Sequence, residues 1–414
     1  MLEINNISSF LKTIFLFVLI ACFFNTIATS LGFSFPYNTF LFKPEDIFAD
    51  FFKLMDALKI TDTWSGPNFY DEIGINFLPP FAISIYTAIA LMIKHFYLNK
   101  LTAFALVFII PFALLIRSSS LFANKSKYWF LILFTYPVLQ ILTRGNLAGL
   151  VFVFLTFYLL NIKNIYVSML FLALAVSIKI TPIIFIACFI MPNLNDPKKI
   201  IKGLVSFLVS LFVVNLLSII FMNINVPKTI YNSYAFFSSL KVYEKVMVYG
   251  LGGLIYGSSF YMAFRLFIQA IAHVTHLDFL YIILAVPALI INCLVVLLLF
   301  FIYLKKFSFT SLRNMLEDKY TILKLVCIVY VLFTPVTGDY YLSILLLPLF
   351  FIPFQHFKVV EKIIYLLVLS PKNYFFVHGI SLQVLINPLL LIAMLLVVTE
   401  VYNFNFSTKQ RSFV

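Results

Sequence analysis

Two carboxylates four residues apart, Asp46 and Asp50, stand out in an otherwise apolar chain. They lie in PEDIFADFFKLMDALK, residues 44–59. Its apolar positions Ile47, Phe48, Phe51, Phe52, Met55 and Leu58 recur at helical spacing. Pro44 suits a first helical turn, and a helix of this pattern lies flat at a membrane interface. Asp46 and Asp50 then stack on its polar face. They can be a plain solvated face, or a carboxylate held at the water–lipid boundary to accept a proton from a hydroxyl. Two cations interrupt apolar runs: Lys179 in SIKITP and Arg144 in LTRGN. A charge at the bilayer centre costs at least about 2.5–3.5 kcal/mol, so each calls for a polar cavity or a partner; a tight turn accounts for Arg144 equally well. Asp339 and Tyr340, in the short hairpin TPVTGDYYLS, are further polar candidates, as are Arg265 and His378.

The elements that must position these residues follow from composition. The chain has 414 residues, 63% hydrophobic and 11% charged, with mean hydropathy +1.05. Soluble chains are about 45–50% apolar and about 25% charged. A water-soluble fold of this size would expose large apolar patches, so soluble enzymes, nucleic-acid binders and disordered scaffolds are excluded. The class is an all-α polytopic membrane protein, a single integral membrane domain over 1–414. The net charge of +13 reads as Lys and Arg that set topology and touch anionic lipid, not as a nucleic-acid surface. Cys22, Cys188, Cys293 and Cys327 all lie in apolar runs, so neither a disulfide framework nor a metal site is expected. No metal or cofactor and no cleavable signal peptide are expected.

A transmembrane helix needs about 20 apolar residues. Candidate spans are 10–32, 77–97, 101–120, 165–191, 199–222, 278–304, 320–337, 339–357 and 380–402, with shorter ones at 128–143, 146–162 and 359–377, about twelve in all. The glycine-rich segment 249–272, which contains Arg265, reads as re-entrant or interfacial. The loop 31–76 holds seven acids against three bases, whereas 192–202 and 305–324 are basic. The positive-inside rule puts the basic segments in the cytoplasm and 31–76 outside, with 223–277 a second long outer segment. Simple alternation then places Arg117, Lys125 and Lys127 outside as well, and the Arg144 turn on the cytoplasmic side.

Several stretches in this order resemble the mannosyltransferase-like proteins of glycosyltransferase family 87, in the GT-C superfamily: PEDIFADFF, NFYDEIGINFLPPF, the run RGNLAGLVFVFLTFYLLNIKNIYVSMLFLALAVSIKITPIIF over 144–185, and more weakly TPVTGDYYLSILLLPL. The likeness spans most of residues 40–190. It departs at Phe77-Leu78-Pro79-Pro80, where the family often has Tyr-Pro-Pro, and at Arg144-Gly145-Asn146, where a Gln-Val-Asn-like stretch is common. The resemblance implies a GT-C helical bundle with its active site at the outer face of a bacterial cytoplasmic membrane. It implies a polyprenyl-phosphate sugar donor, mannose being the usual hexose, a glycan or glycolipid acceptor, and a metal-independent, commonly inverting transfer. It also implies that Asp50, with Asp46 as the near alternative, is the general base. Lys179, Arg144 and Arg265 would face the donor phosphate; Asn146, Asp339, Tyr340, His378 and Tyr70 complete the candidate substrate contacts. The rival class is a transporter or flippase for a glycolipid, which favours broken helices and midplane polar residues.

Overall fold

The computed structural model describes residues 6–34, 41, 47–48, 50–51, 79–96, 99–221, 259–276, 294–295, 315, 317–334, 338–371, 376–377, 380–381 and 383–411. Most of the expected span 278–304 and most of 223–277 lie outside these residues. What is described is a helical bundle; its one extended element is a two-stranded ribbon, β1 (Phe376–Val377) antiparallel to β2 (Ile380–Ser381).

Helix α1, Ile7–Ser30, starts where the Asn6 side chain accepts the Ser9 N–H at 2.9 Å, satisfying a donor that the first turn leaves open. Pro80–Phe96 forms α2. Next, α3 (Lys100–Phe104) passes through a π-helical turn (Ala105–Ile109) into α4 (Ile110–Arg117). A 3-10 turn, Trp129–Phe134, leads to α5, Tyr136–Arg144. Then come α6, Ala148–Leu160, and α7, Ile165–Ile178.

The expected span 165–191 is not one helix. Lys179 is extended, with φ −144° and ψ 136°. Pro182 has no N–H to donate to Ile178, which ends the helical ladder there. The chain runs back through a 3-10 turn (Thr181–Ile186), α8 (Ala187–Ile190) and a second 3-10 turn (Met191–Asn193) before α9, Pro197–Phe221. Two contacts prove the reversal. Lys202 lies 4.9 Å from the centre of the Tyr166 ring, and Asn215 donates to Ser177 at 2.9 Å. So α7 and α9 run parallel, and 181–193 is the return strand of helix between them. The Tyr158 hydroxyl bonds to the Phe185 carbonyl on the way back, at 3.0 Å.

Within the second long segment, 223–277, lies α10, Phe260–Thr275; later comes α11, Lys319–Phe333, capped by Asp318 on the Tyr320 and Thr321 amides. A 3-10 helix, Asp339–Leu345, leads into α12, Leu346–Phe351, followed by α13, Val359–Leu369, and α14, Gln383–Arg411. Among the described residues three helices are long and apolar enough to cross a membrane, Ile7–Ser30, Leu101–Leu121 and Pro197–Phe221; the other apolar helices are 10–17 residues long. Among the described residues, several of the expected spans are thus shorter or broken helices. Pro137, Pro182 and Pro192 each stand in the first turn of a short piece, where the missing N–H is harmless.

The two ends of the bundle differ in charge. At the end where α1 begins, Ser8 bonds to Ser126 at 2.9 Å and Lys12 lies 4.3 Å from the Tyr128 ring centre. Asn124 latches that end: its amide donates to the Leu349 and Ile352 carbonyls and its oxygen accepts the Phe354 N–H, all at 2.7–2.8 Å. Arg117, Lys125 and Lys127 flank this latch, and the Lys163 turn, Lys198, Lys199 and Lys202 lie at the same end. Alternation had put Arg117, Lys125 and Lys127 on the other flank. Lys324, expected in a basic loop, is instead buried in α11 and paired with Glu361 of α13 at 2.6 Å. The outward surface is apolar: in the 197–221 span only 17% of the most apolar window is buried, and Leu208, Phe212, Leu217 and Ile220 are exposed.

Candidate active site at one end of the bundle

The opposite end carries the polar residues singled out by the sequence. Helix α5 ends at Arg144, and Gly145 follows in the left-handed conformation, φ +65°. Glycine reaches that region without steric cost. It serves a second purpose here, since a Cβ on Gly145 would sit 2.7 Å from the Cβ of Phe51. The missing side chain lets the 47–51 segment lie directly on the turn. The Phe48 amide donates to the Thr143 carbonyl at 2.5 Å, and Phe51 is fully buried against the rings of Tyr86, Phe104 and Phe108, centroids 5.9–6.1 Å away. Ile47 and Phe48 form a turn, with φ +57° at Phe48. The helix expected over 44–59 does not run unbroken through that point, because an L-residue in the left-handed region ends a right-handed helix.

Docked this way, Asp50 is held by two donors. Arg144 Nη2 lies 2.6 Å from Oδ1, and Asn146 Nδ2 lies 2.8 Å from Oδ2. The Asn146 oxygen accepts the Ala148 N–H at 2.9 Å and the Lys179 ammonium at 3.2 Å. An oxygen facing two donors leaves the amide nitrogen facing the carboxylate, so the network orients Asn146 unambiguously. Lys179 also donates to the Tyr341 hydroxyl at 3.0 Å, and its ammonium lies 4.5 and 5.0 Å from the ring centres of Tyr341 and Tyr340. Both distances are within cation–π range. Arg144 and Asp50 keep 21% and 26% of their side chains exposed, so the cluster opens to the outside. Two expectations are corrected here. Lys179 is at the apex of a helical hairpin, not in the middle of a span. Arg144 shares the end of the bundle with Asp50 and does not lie on the opposite flank.

Asp339 has a different setting. It is fully buried at the head of the 3-10 helix that carries Tyr340 and Tyr341. Its Oδ2 accepts the Tyr136 hydroxyl at 2.7 Å and the Gln383 amide. The Tyr136 oxygen in turn receives Gln140 and Gln383, each at 3.1 Å. The expected hairpin loop is thus a buried polar knot that joins α5, the 339–345 segment and the start of α14. In this arrangement Asp339 positions its neighbours and does not itself face outward. Arg265 is also buried, over the Tyr261 ring in α10; that helix packs through Met262 and Leu266 on Val384, next to Gln383. Asp46, Tyr70 and His378 lie outside the described residues.

Comparison with protein-family models, with curated proteins and with solved structures finds no match to this chain.

The geometry stands by itself. Among the described residues the open cluster holds one carboxylate, two cations and two tyrosine rings drawn from four separate segments. Two cations against one carboxylate favour an anionic ligand, the rings offer flat apolar faces, and the carboxylate can accept a proton from a hydroxyl. Four members of these networks were not singled out by sequence reasoning: Tyr341, Tyr136, Gln140 and Gln383. None carries a charge. The available signals were the i,i+4 spacing of Tyr136 and Gln140 within YPVLQ and the position of Gln383 at the start of the last apolar run.

Proposed function

We propose that the chain is a membrane glycosyltransferase of the GT-C kind, moving a hexose, mannose by preference, from a polyprenyl-phosphate donor to a glycan or glycolipid acceptor. The observation that carries this reading is the Arg144–Asp50–Asn146–Lys179–Tyr341 network. A donor with a lipid tail presents its sugar-phosphate at the membrane boundary, and this network lies at one end of an apolar bundle. Asp50 takes the proton of the acceptor hydroxyl as that oxygen attacks the anomeric carbon, with inversion. The bond from that carbon to the phosphate oxygen breaks, and the electron pair leaves on polyprenyl phosphate. Lys179, which among the described residues bonds to the neutral groups of Asn146 and Tyr341, and Arg144 offset the charge that grows there. Holding both substrates in register supplies the rest of the acceleration. The basic opposite end supports an outward-facing site, because Lys and Arg are retained in the cytoplasm.

Purified protein in liposomes, given a panel of radiolabelled polyprenyl-phosphate sugars and extracted cell-envelope acceptors, tests the reading. Wild type should release polyprenyl phosphate and label the acceptor. Asp50→Asn should lose about 100- to 10,000-fold in rate, the usual worth of a general base, while still binding donor. Unchanged transfer in Asp50→Asn would overturn the assignment.

A glycolipid transporter or flippase is the second reading. The helix broken at Lys179 favours it, since discontinuous helices build transport sites. In the same liposomes that function would move labelled donor across the bilayer without consuming it.

A further inference from the structure

The bundle carries a second feature far from the Asp50 cluster. At the basic end, α7 and α9 together line a groove of about 660 Å³. Tyr166 and Leu170 of α7 form one wall; Val205 and Val209 of α9 form part of the other, with Lys198 and Lys202 at the mouth. Those two lysines are four residues apart, so they stand on one face of the helix. The Tyr166 ring holds the Lys202 ammonium at 4.9 Å, on the rim of the groove. Tyr166 is 61% exposed, Val205 54% and Val209 56%, so the walls open sideways, away from the core. The one nearby described acid, Asp196, accepts the Lys199 amide at the helix start, so the three lysines 198, 199 and 202 leave the rim positive.

We propose that this groove binds one anionic phospholipid, with its phosphate on Lys198 and Lys202 and an acyl chain along Tyr166, Leu170, Val205 and Val209. Charge complementarity argues for the headgroup: two ammonium groups at the mouth of an apolar slot match a phosphate ester joined to a hydrocarbon tail, and a zwitterionic lipid gains less from them. Length argues for the tail. From Lys198 to Ser210 the groove follows α9 for roughly 18 Å at 1.5 Å per residue, about the depth of one leaflet of a ~30 Å hydrocarbon core. Position argues for the leaflet, since the other bases of this end mark it as the side facing anionic cytoplasmic lipid. This site rests on the bundle being in a bilayer and is independent of the sugar-transfer reading.

The test is native mass spectrometry of the full chain, delipidated in mild detergent and titrated with phosphatidylglycerol or phosphatidylcholine. Wild type should retain one phosphatidylglycerol in preference to phosphatidylcholine. Lys198→Gln/Lys202→Gln should weaken that binding about 10- to 30-fold, whereas Lys125→Gln/Lys127→Gln, the same charge change on exposed lysines of the same end, should leave it intact. Val205→Trp, which fills the slot and keeps the charge, should also lose the lipid. Equal retention of both lipids, an equal loss from both lysine pairs, or a second copy of the chain in place of lipid would overturn the proposal. Sugar transfer, if present, is read separately and does not bear on the result.

Discussion

Arg144 and Asp50 are 94 residues apart in the chain and 2.6 Å apart in space. The contact exists because a helix ends at Arg144, Gly145 turns left, and Phe51 lies flat on the glycine. The same turn presents Asn146 to the other carboxylate oxygen. One three-residue turn thereby holds Asp50 at both oxygens and passes the contact on to Lys179.

Arg144→Lys and Arg144→Gln should separate charge from geometry. An ammonium is a point charge, without the planar fork that a carboxylate matches. Both variants should cut transfer, with lysine the milder. Thermal stability should change by less than about 1 kcal/mol, because an ion pair this exposed contributes little. Initial rates and melting curves on the same preparations check both statements. A large drop in melting temperature with unaltered transfer would show that the pair is structural only.

Gly145→Ala should be worse than its size suggests. The new methyl meets the Phe51 Cβ at 2.7 Å, and the left-handed backbone adds about 1–2 kcal/mol for an L-residue. The 47–51 segment must then lift, taking Asp50 away from Arg144 and Asn146. Loss of transfer accompanied by greater protease sensitivity near residue 50 is the expected pair of results. Full activity in Gly145→Ala would show that this close approach does not matter.

Asp339→Ala should destabilise the chain even though Asp339 is remote from the opening. It removes an acceptor from the Tyr136 hydroxyl and one of two acceptors from the Gln383 amide, and a buried polar group that loses its partner costs about 1–3 kcal/mol. Tyr136→Phe removes a single hydroxyl and should cost less. Chemical or thermal melts in detergent rank the two. If Asp339→Ala is as stable as wild type, the buried knot does not tie α5 to the 339–345 segment.

The buried pair of Lys324 and Glu361 gives a contrast between single and double substitution. Lys324→Met alone strands a carboxylate inside the bundle and should cost about 3–5 kcal/mol. Lys324→Met/Glu361→Leu removes both charges and should recover most of that loss. A double variant no better than the single one would mean that other groups, such as the His356 carbonyl 3.2 Å from Lys324, depend on the ammonium.

Composition alone determined the helical membrane class, because 63% apolar residues cannot be hidden from water in a chain of 414. The sequence also pointed to Asp50, Arg144, Asn146, Lys179 and Tyr340, since charges and polar neighbours are conspicuous among apolar runs. Hydropathy could not reveal the reversal at Lys179. An apolar window reads the same whether the chain continues or doubles back, and the reversal shows only in contacts to Tyr166, Ser177 and Phe185 from other segments. That one missed turn set Lys179 in mid-membrane, whereas the placement of Arg144 beside Asp50 depends on how the chain crosses between 51 and 144. Tyr136, Gln140, Tyr341 and Gln383 escaped notice because a neutral polar side chain shows its role only through its partner. Partners 203 and 247 residues away, as Tyr136 has in Asp339 and Gln383, are chosen by packing. Local sequence determines where a helix can start and stop. Only the assembled bundle decides which helix ends meet, because burying apolar faces against one another selects the neighbours and leaves the polar groups at those ends to pair with whatever arrives.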